Sequence, residues 1–157
     1  MADPDASFSA GLLHDIGKII ISCFLETEFA QYKEARAKDT TKLDFEIEQE
    51  QLGFTHADVG GFLTETWKIP EKLTEAIANH HNITEVNKDN AFSIIVCMAN
   101  WLSKKTFFEP DQQYKVGPLN PNIVEFLEIN DEIIENLEDS LRTDYAGAET
   151  FMQLVGM

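Results

Sequence analysis

Apolar residues recur at helix-compatible spacing along nearly the whole 157-residue chain, and no stretch alternates apolar and polar residues as a half-buried strand must. Such a pattern can be buried only by packing helix against helix. The expected fold is therefore all-α, a compact multi-helix bundle. Residues 8–38 carry a first apolar helical run and a second helix after Leu25, which continues as the polar EARAK. From about 39 to 55, the acidic DFEIEQEQLGF reads as an amphipathic helix stopped by Gly53. Thr55 is placed to cap THADVGGFLTETW, whose Gly60-Gly61 pair would weaken a helix unless another helix approaches closely. Pro70 suits the first turn of PEKLTEAIANHH, with Asn82 at its end, and Asp89 or Asn90 can cap AFSIIVCMANWLSKK, about 89–104. FFEPDQQYKVGPLNP is rich in turn formers and reads as a loop. Two or three helices are expected over 119–157.

Length and charge narrow the function. A 157-residue chain fits one domain, 1–157, with a single core. Twelve Lys and Arg against 28 Asp and Glu give a net charge of -16, which repels nucleic acid and anionic membranes unless a local basic patch intervenes, and none is visible. The longest uninterrupted apolar runs fall far short of the roughly 20 residues that span a bilayer, and no basic-then-apolar leader begins the chain. The expectation is a soluble, cytoplasmic protein with neither nucleic-acid nor membrane partners. Cys23 and Cys97, without CxxC spacing, are expected to be buried reduced thiols.

All four histidines occupy chemically suggestive places. GLLHDIGK (11–18) sets His14 beside Asp15 with Lys18 one turn on; His56 opens a helix after a glycine break; His80-His81 closes another. A buried imidazole and carboxylate need a metal, a hydrogen bond or an opposite charge to satisfy them. Neighbours on a helix point about 100° apart, so each doublet can flank a site, one residue pointing in and the other reaching its rim. Imidazole and carboxylate ligands suit Zn, Fe, Mn or Ni. The plainer reading is that each histidine is a hydrogen-bonded core residue, and that the HH pair merely caps a helix end. Trp67 and Trp101 read as core or partner surface. The acidic run reads as a solvated face, although Asp44, Glu48 and Gln51 share one side of it, and Phe107-Phe108 reads as a loop anchor.

Taken in order, GLLHDIGK, GFTHADVGGFLTETWKIPEKLTEAIANHH and IIVCMANWLS resemble successive segments of the HD superfamily of metal-dependent phosphohydrolases, specifically its HDOD branch, a bacterial signalling module. The resemblance spans residues 8–104, and the tail with IENLEDSLR is similar to the helices that follow this core. It implies an HD-domain-like bundle with His14, Asp15, His56, His80 and His81 as ligands to one or two divalent ions, Fe, Mn, Zn or Ni. Asp15 would take a catalytic, bridging place and Lys18 would face a substrate phosphate. It also implies signalling partners such as a kinase, a response regulator or a receiver domain, a nucleotide as small ligand, and a homodimer as a compatible assembly.

The chain departs from that pattern in three places. Asn100 in ANWLS stands where the metal-binding families have Asp; the upstream histidine has no counterpart before Gly11; and the GYP element is missing, its region holding KVGPLNP. An N-terminally incomplete chain accounts for the second. Three readings follow. The favoured one is a signalling output or scaffold module with a degenerate metal site. The alternatives are an active phosphohydrolase of nucleotides or cyclic dinucleotides, and a plain helical interaction domain.

Overall fold

The computed structural model describes residues 3–108 and 115–156, and every regular element among them is a helix: α1 (Pro4–Leu13), α2 (Ile16–Phe24), α3 (Glu26–Lys38), α4 (Asp44–Leu52), α5 (His56–Thr66), α6 (Glu71–Asn79), α7 (Ala91–Phe107), α8 (Pro121–Phe126) and α9 (Asp131–Leu154). The all-α bundle is thus observed. Residues 109–114 of the expected loop lie outside the described residues.

Local chemistry sets most boundaries. Asp3 caps α1 by accepting from the Asp5 amide at 3.0 Å, with Pro4 at the first helical position. Gly53 takes φ 79° just past α4, a conformation that side chains disfavour. Thr55 and Asp58 form a reciprocal cap on α5: the Thr55 amide donates to Asp58 Oδ2 at 2.7 Å, and the Asp58 amide donates to Thr55 Oγ1 at 3.2 Å. Other ends shift by a residue or two. Pro70 precedes α6 rather than lying within it, α6 ends at Asn79 with His80 rather than Asn82 as its cap, and Asn90 occupies the N-cap of α7 without a side-chain bond.

Two expectations at the N-terminus need correction. GLLHDIGK is no continuous helix, because α1 stops at Leu13 and α2 starts at Ile16, leaving His14 and Asp15 at the break. Taken across that break, Pro4–Phe24 is nevertheless long and apolar enough, by length and composition, to cross a membrane. The count of uninterrupted apolar runs missed it because Asp15 and Lys18 divide the stretch. Cys23 is also exposed, not buried; Cys97 is half-buried, and burial pushes its thiol up.

Glycines decide how closely the central helices meet. A Cβ on Gly17 of α2 would lie 1.9 Å from the His56 carbonyl oxygen of α5, and one on Gly61 would lie 2.8 Å from Ala78 Cβ of α6. Only hydrogen fits at these crossings. The result is a tight α2–α5–α6 layer, onto which α7 closes. Val96 of α7 packs with Ala10 and Ala76, while Ile94, Met98 and Leu102 pack with Ile123 of α8. Ile134 and Leu141 attach α9 to that second cluster, and the rest of its apolar stripe, including Phe151 and Leu154, stays exposed.

Candidate metal centre

Three separate junctions deliver the site. The α1–α2 break presents His14 and Asp15, the first residue of α5 is His56, and the end of α6 supplies His80 and His81. Asp15, His56, His80 and His81 each place one ligand-type atom within 4.8 Å of the others. Asp15 Oδ1 lies 3.1 Å from His56 Nε2 and 3.8 Å from His80 Nε2, and the Nε2 atoms of His56 and His81 are 3.0 Å apart. Four of the five expected ligands therefore converge. His14 stands at the rim, its ring edge-on to His80 at 5.0 Å and its Nε2 3.4 Å from Asp15 Oδ2.

The hydrogen bonds behind the rings orient them. His14 Nδ1 meets the Gly11 carbonyl at 2.6 Å, His80 Nδ1 meets the Ile77 carbonyl at 2.7 Å, and His56 Nδ1 meets Glu48 Oε2 at 2.6 Å. Each acceptor calls for a proton on Nδ1, which leaves the Nε2 lone pair pointing inward, the arrangement found behind metal-ligating histidines. His81 is held differently, its ring stacked on Phe45 at 4.6 Å.

Glu48 is the residue that sequence reasoning set aside. Read as part of a solvated face, it is 3% exposed and also accepts from the His56 backbone amide at 2.8 Å. Asp44, one turn earlier, pairs with the buried Arg36 at 2.8 Å. Only Gln51 of the three keeps to solvent. The available signal was two acids on one face of α4, followed across the Gly53 turn by a histidine.

Charge balance divides the cluster into two kinds of group. Burial disfavours ionisation of Asp15, yet the His56 ring and the Lys18 ammonium outweigh it and hold the carboxyl far below its usual range. Burial likewise opposes a charge on His56, but Asp15 and Glu48 overcome it and raise the imidazole. For His80 burial prevails and pushes it down to about 3, while His81 is also lowered, by burial and then by its histidine neighbours. The two carboxylates thus favour the charged form of His56, while burial favours the neutral forms of His80 and His81.

The arrangement fits a cation. His80 Nε2 and Asp15 Oδ1 are buried without a well-directed hydrogen-bond partner, although each faces other ligand atoms. Such orphaned atoms are what an ion would satisfy. Lys18 is not directed at an open substrate position: its ammonium lies 2.7 Å from Asp15 Oδ2. Asn100, half-buried on α7, lines both the cavity that Asp15 faces and the one that His80 and His81 face.

Helices meeting at a break, with histidines and an aspartate gathered from three junctions, define an HD-type domain. The family comparison is specific: residues 1–83 match the HDOD domain, and the chain belongs to that family. The match takes in Asp15, His56, His80 and His81 and ends before Asn100. Among solved structures, the chain is similar to a protein of Marinobacter aquaeolei VT8 described as a candidate signal transduction protein. The TM-score is 0.79 at 17% identity, over 97% of this chain and 33% of that one. The chain thus spans about a third of that protein's length. No curated protein matches it.

Proposed function

We propose that the chain is a bacterial, cytoplasmic signalling module of the HDOD type, an output or scaffold domain for a kinase, response regulator or receiver domain, whose HD-type cluster takes one divalent ion and no longer hydrolyses phosphate esters. The observation that carries this reading is the division of Asp15. Oδ1 is turned to the histidines, while Oδ2 is held by the Lys18 ammonium at 2.7 Å, which leaves one carboxylate oxygen of Asp15 for an ion. Asn100 on the facing wall supports it, since a neutral amide is a weaker ligand than a carboxylate for a borderline cation. Family membership and the described role of the structural neighbour support signalling.

Asp15, His56, His80 and His81 would hold the ion, with Glu48 orienting His56 behind it. Bound there, a divalent ion would polarise a ligand oxygen and acidify bound water. A second reading, an active phosphohydrolase of a nucleotide or cyclic dinucleotide, is favoured by four ligand atoms within 4.8 Å and by the cavity that Asp15 faces.

The test is metal content by plasma mass spectrometry on tag-free protein purified without added metal, beside the His14→Ala/Asp15→Ala double variant. It is paired with hydrolysis of bis-p-nitrophenyl phosphate in Mn, Fe, Zn or Ni. About one ion per chain, lost in the double variant, and no turnover is the expected result; protein that holds no ion would overturn the metal-binding part of the reading. Turnover that disappears with Asp15→Asn would sink the scaffold reading and install the second.

A further inference from the structure

Helix α9 reaches beyond the packing that holds it. Along its 24 residues Ile134, Leu137, Leu141, Tyr145, Ala148 and Met152 follow one another at steps of three or four, so they form one apolar stripe. The first half of that stripe is anchored. Ile134 and Leu141 pack on the cluster around Ile94 and Ile123, Lys105 of α7 pairs with Glu138, and the Tyr145 ring meets Phe107 at 5.0 Å. The second half is not covered by the described residues: every position from Arg142 to Leu154 is exposed, Phe151 and Met152 included. A segment of this length that contains Thr143, Gly147 and Thr150 is a marginal helix when nothing packs against it. At Gly147 an added Cβ would meet nothing within 4 Å, so no close approach inside the domain accounts for it.

The charges beside the stripe define what can lie on it. α9 carries seven acidic side chains and a single basic one, Arg142. By helical periodicity Asp144 borders the exposed stretch on one side and Glu149 on the other. Apolar residues at this spacing pair with the same spacing on another helix, and the charges along the seam select which helix that is. A second copy of α9 is a poor match. Laid parallel and in register it sets Asp144 against Asp144, and in either direction it joins two acidic helices that have one arginine each. The complement is a helix with an apolar stripe of its own and lysines or arginines beside it.

We propose that the outer half of α9, Arg142 to Leu154, docks an amphipathic helix of another protein, one that is basic along both borders of its apolar stripe. Tyr145, Ala148 and Met152 form the seam, and Asp144 and Glu149 pair with the basic residues of the incoming helix. This deepens the signalling reading, on which it rests for the existence of a protein partner, by naming the surface and the chemistry of what it engages. No metal is involved, since α9 contributes no residue to the Asp15, His56, His80 and His81 cluster. A pairing of about three heptads is a small interface, so a Kd of roughly micromolar order is expected.

The experiment is fluorescence anisotropy on the whole chain with a labelled peptide of about three heptads, leucine at the first and fourth positions and lysine at the fifth and seventh. The same peptide with glutamate in place of lysine is the control. The lysine peptide should bind saturably, and the glutamate peptide about tenfold more weakly or worse. Met152→Lys should weaken the lysine peptide about tenfold or more, whereas Phe62→Lys, the same added charge on an exposed residue of α5, should leave it within about twofold. That pair separates the stripe from general attraction to an acidic protein. Asp144→Lys/Glu149→Lys should reverse the preference in favour of the glutamate peptide. These positions are all exposed, so urea midpoints should match wild type, which keeps misfolding apart from lost docking. Failure of the lysine peptide to bind at millimolar concentration would overturn the proposal, as would equal binding of the two peptides or equal loss in Met152→Lys and Phe62→Lys. A dimer in sedimentation that Met152→Lys dissolves would also overturn it, in favour of a second copy on the stripe. Metal content and turnover are read on the unliganded protein, so failure of the docking and failure of the signalling reading are told apart.

Discussion

Glu48 accepts two hydrogen bonds from His56 with one carboxylate oxygen, from the backbone amide at 2.8 Å and from Nδ1 at 2.6 Å. That one atom both starts α5 and turns the His56 Nε2 toward Asp15. Glu48→Gln keeps the shape but offers a weaker acceptor. Metal affinity is expected to fall about 10- to 100-fold, read by zinc or manganese titration. Glu48→Ala, which strands two buried donors, should cost a further ~2–4 kcal/mol in urea unfolding.

Gly17→Ala should be among the most damaging single substitutions. The added Cβ meets the His56 carbonyl at 1.9 Å and nothing flexible can yield, so α2 must move off α5. A loss of about 3 kcal/mol or more is expected, together with loss of metal binding as Asp15 and His56 part. Gly11→Ala, in open space within α1, is the control and should stabilise by roughly 0.5–1 kcal/mol. Equal melting temperatures for the two variants would refute the close-packed crossing.

Acid should weaken the fold through His80. Its folded pKa, about 3, lies below the ordinary value of 6.5, so between those limits the unfolded chain binds the extra proton. Stability from this group is fully present above pH 6.5 and is lost on the way down to pH 3, by about 1.4 kcal/mol per unit. His81 acts in the same direction, and the raised His56 opposes them. Urea midpoints should decline from pH 7 to pH 4.5, and His80→Gln should flatten the slope. A bound divalent ion should steepen it, because protons then compete with the metal.

Asn100→Asp puts a carboxylate on the wall that faces both Asp15 and the His80-His81 pair. Metal affinity is expected to rise about tenfold, since the extra anion adds a second carboxylate beside Asp15. Unchanged affinity in titration would show that α7 does not contribute to the site.

Much of the fold was legible because helices announce themselves locally. Gly53 stopping α4 and the Thr55 cap follow from backbone conformation and spacing, which are properties of short segments. The histidines and Asp15 could be picked out by residue type, and their order carried the resemblance to HDOD domains. What short segments cannot state is which side chains meet. The helix break at His14-Asp15, the burial of Glu48 against His56, and Lys18 taking the outer oxygen of Asp15 depend on how α2, α4 and α5 cross. Those crossings are set by hydrogen atoms at Gly17, Gly60 and Gly61 as much as by any apolar pattern. The cavity that Asp15 faces is the extreme case: the charged residues that line it come from positions 15 to 104, and only tertiary packing places them around one space. Periodicity and residue type lie along the chain and determined the class of fold and the candidate ligands. The pairing of charges and the use made of each ligand were decided by packing, where distance in space replaces distance in sequence.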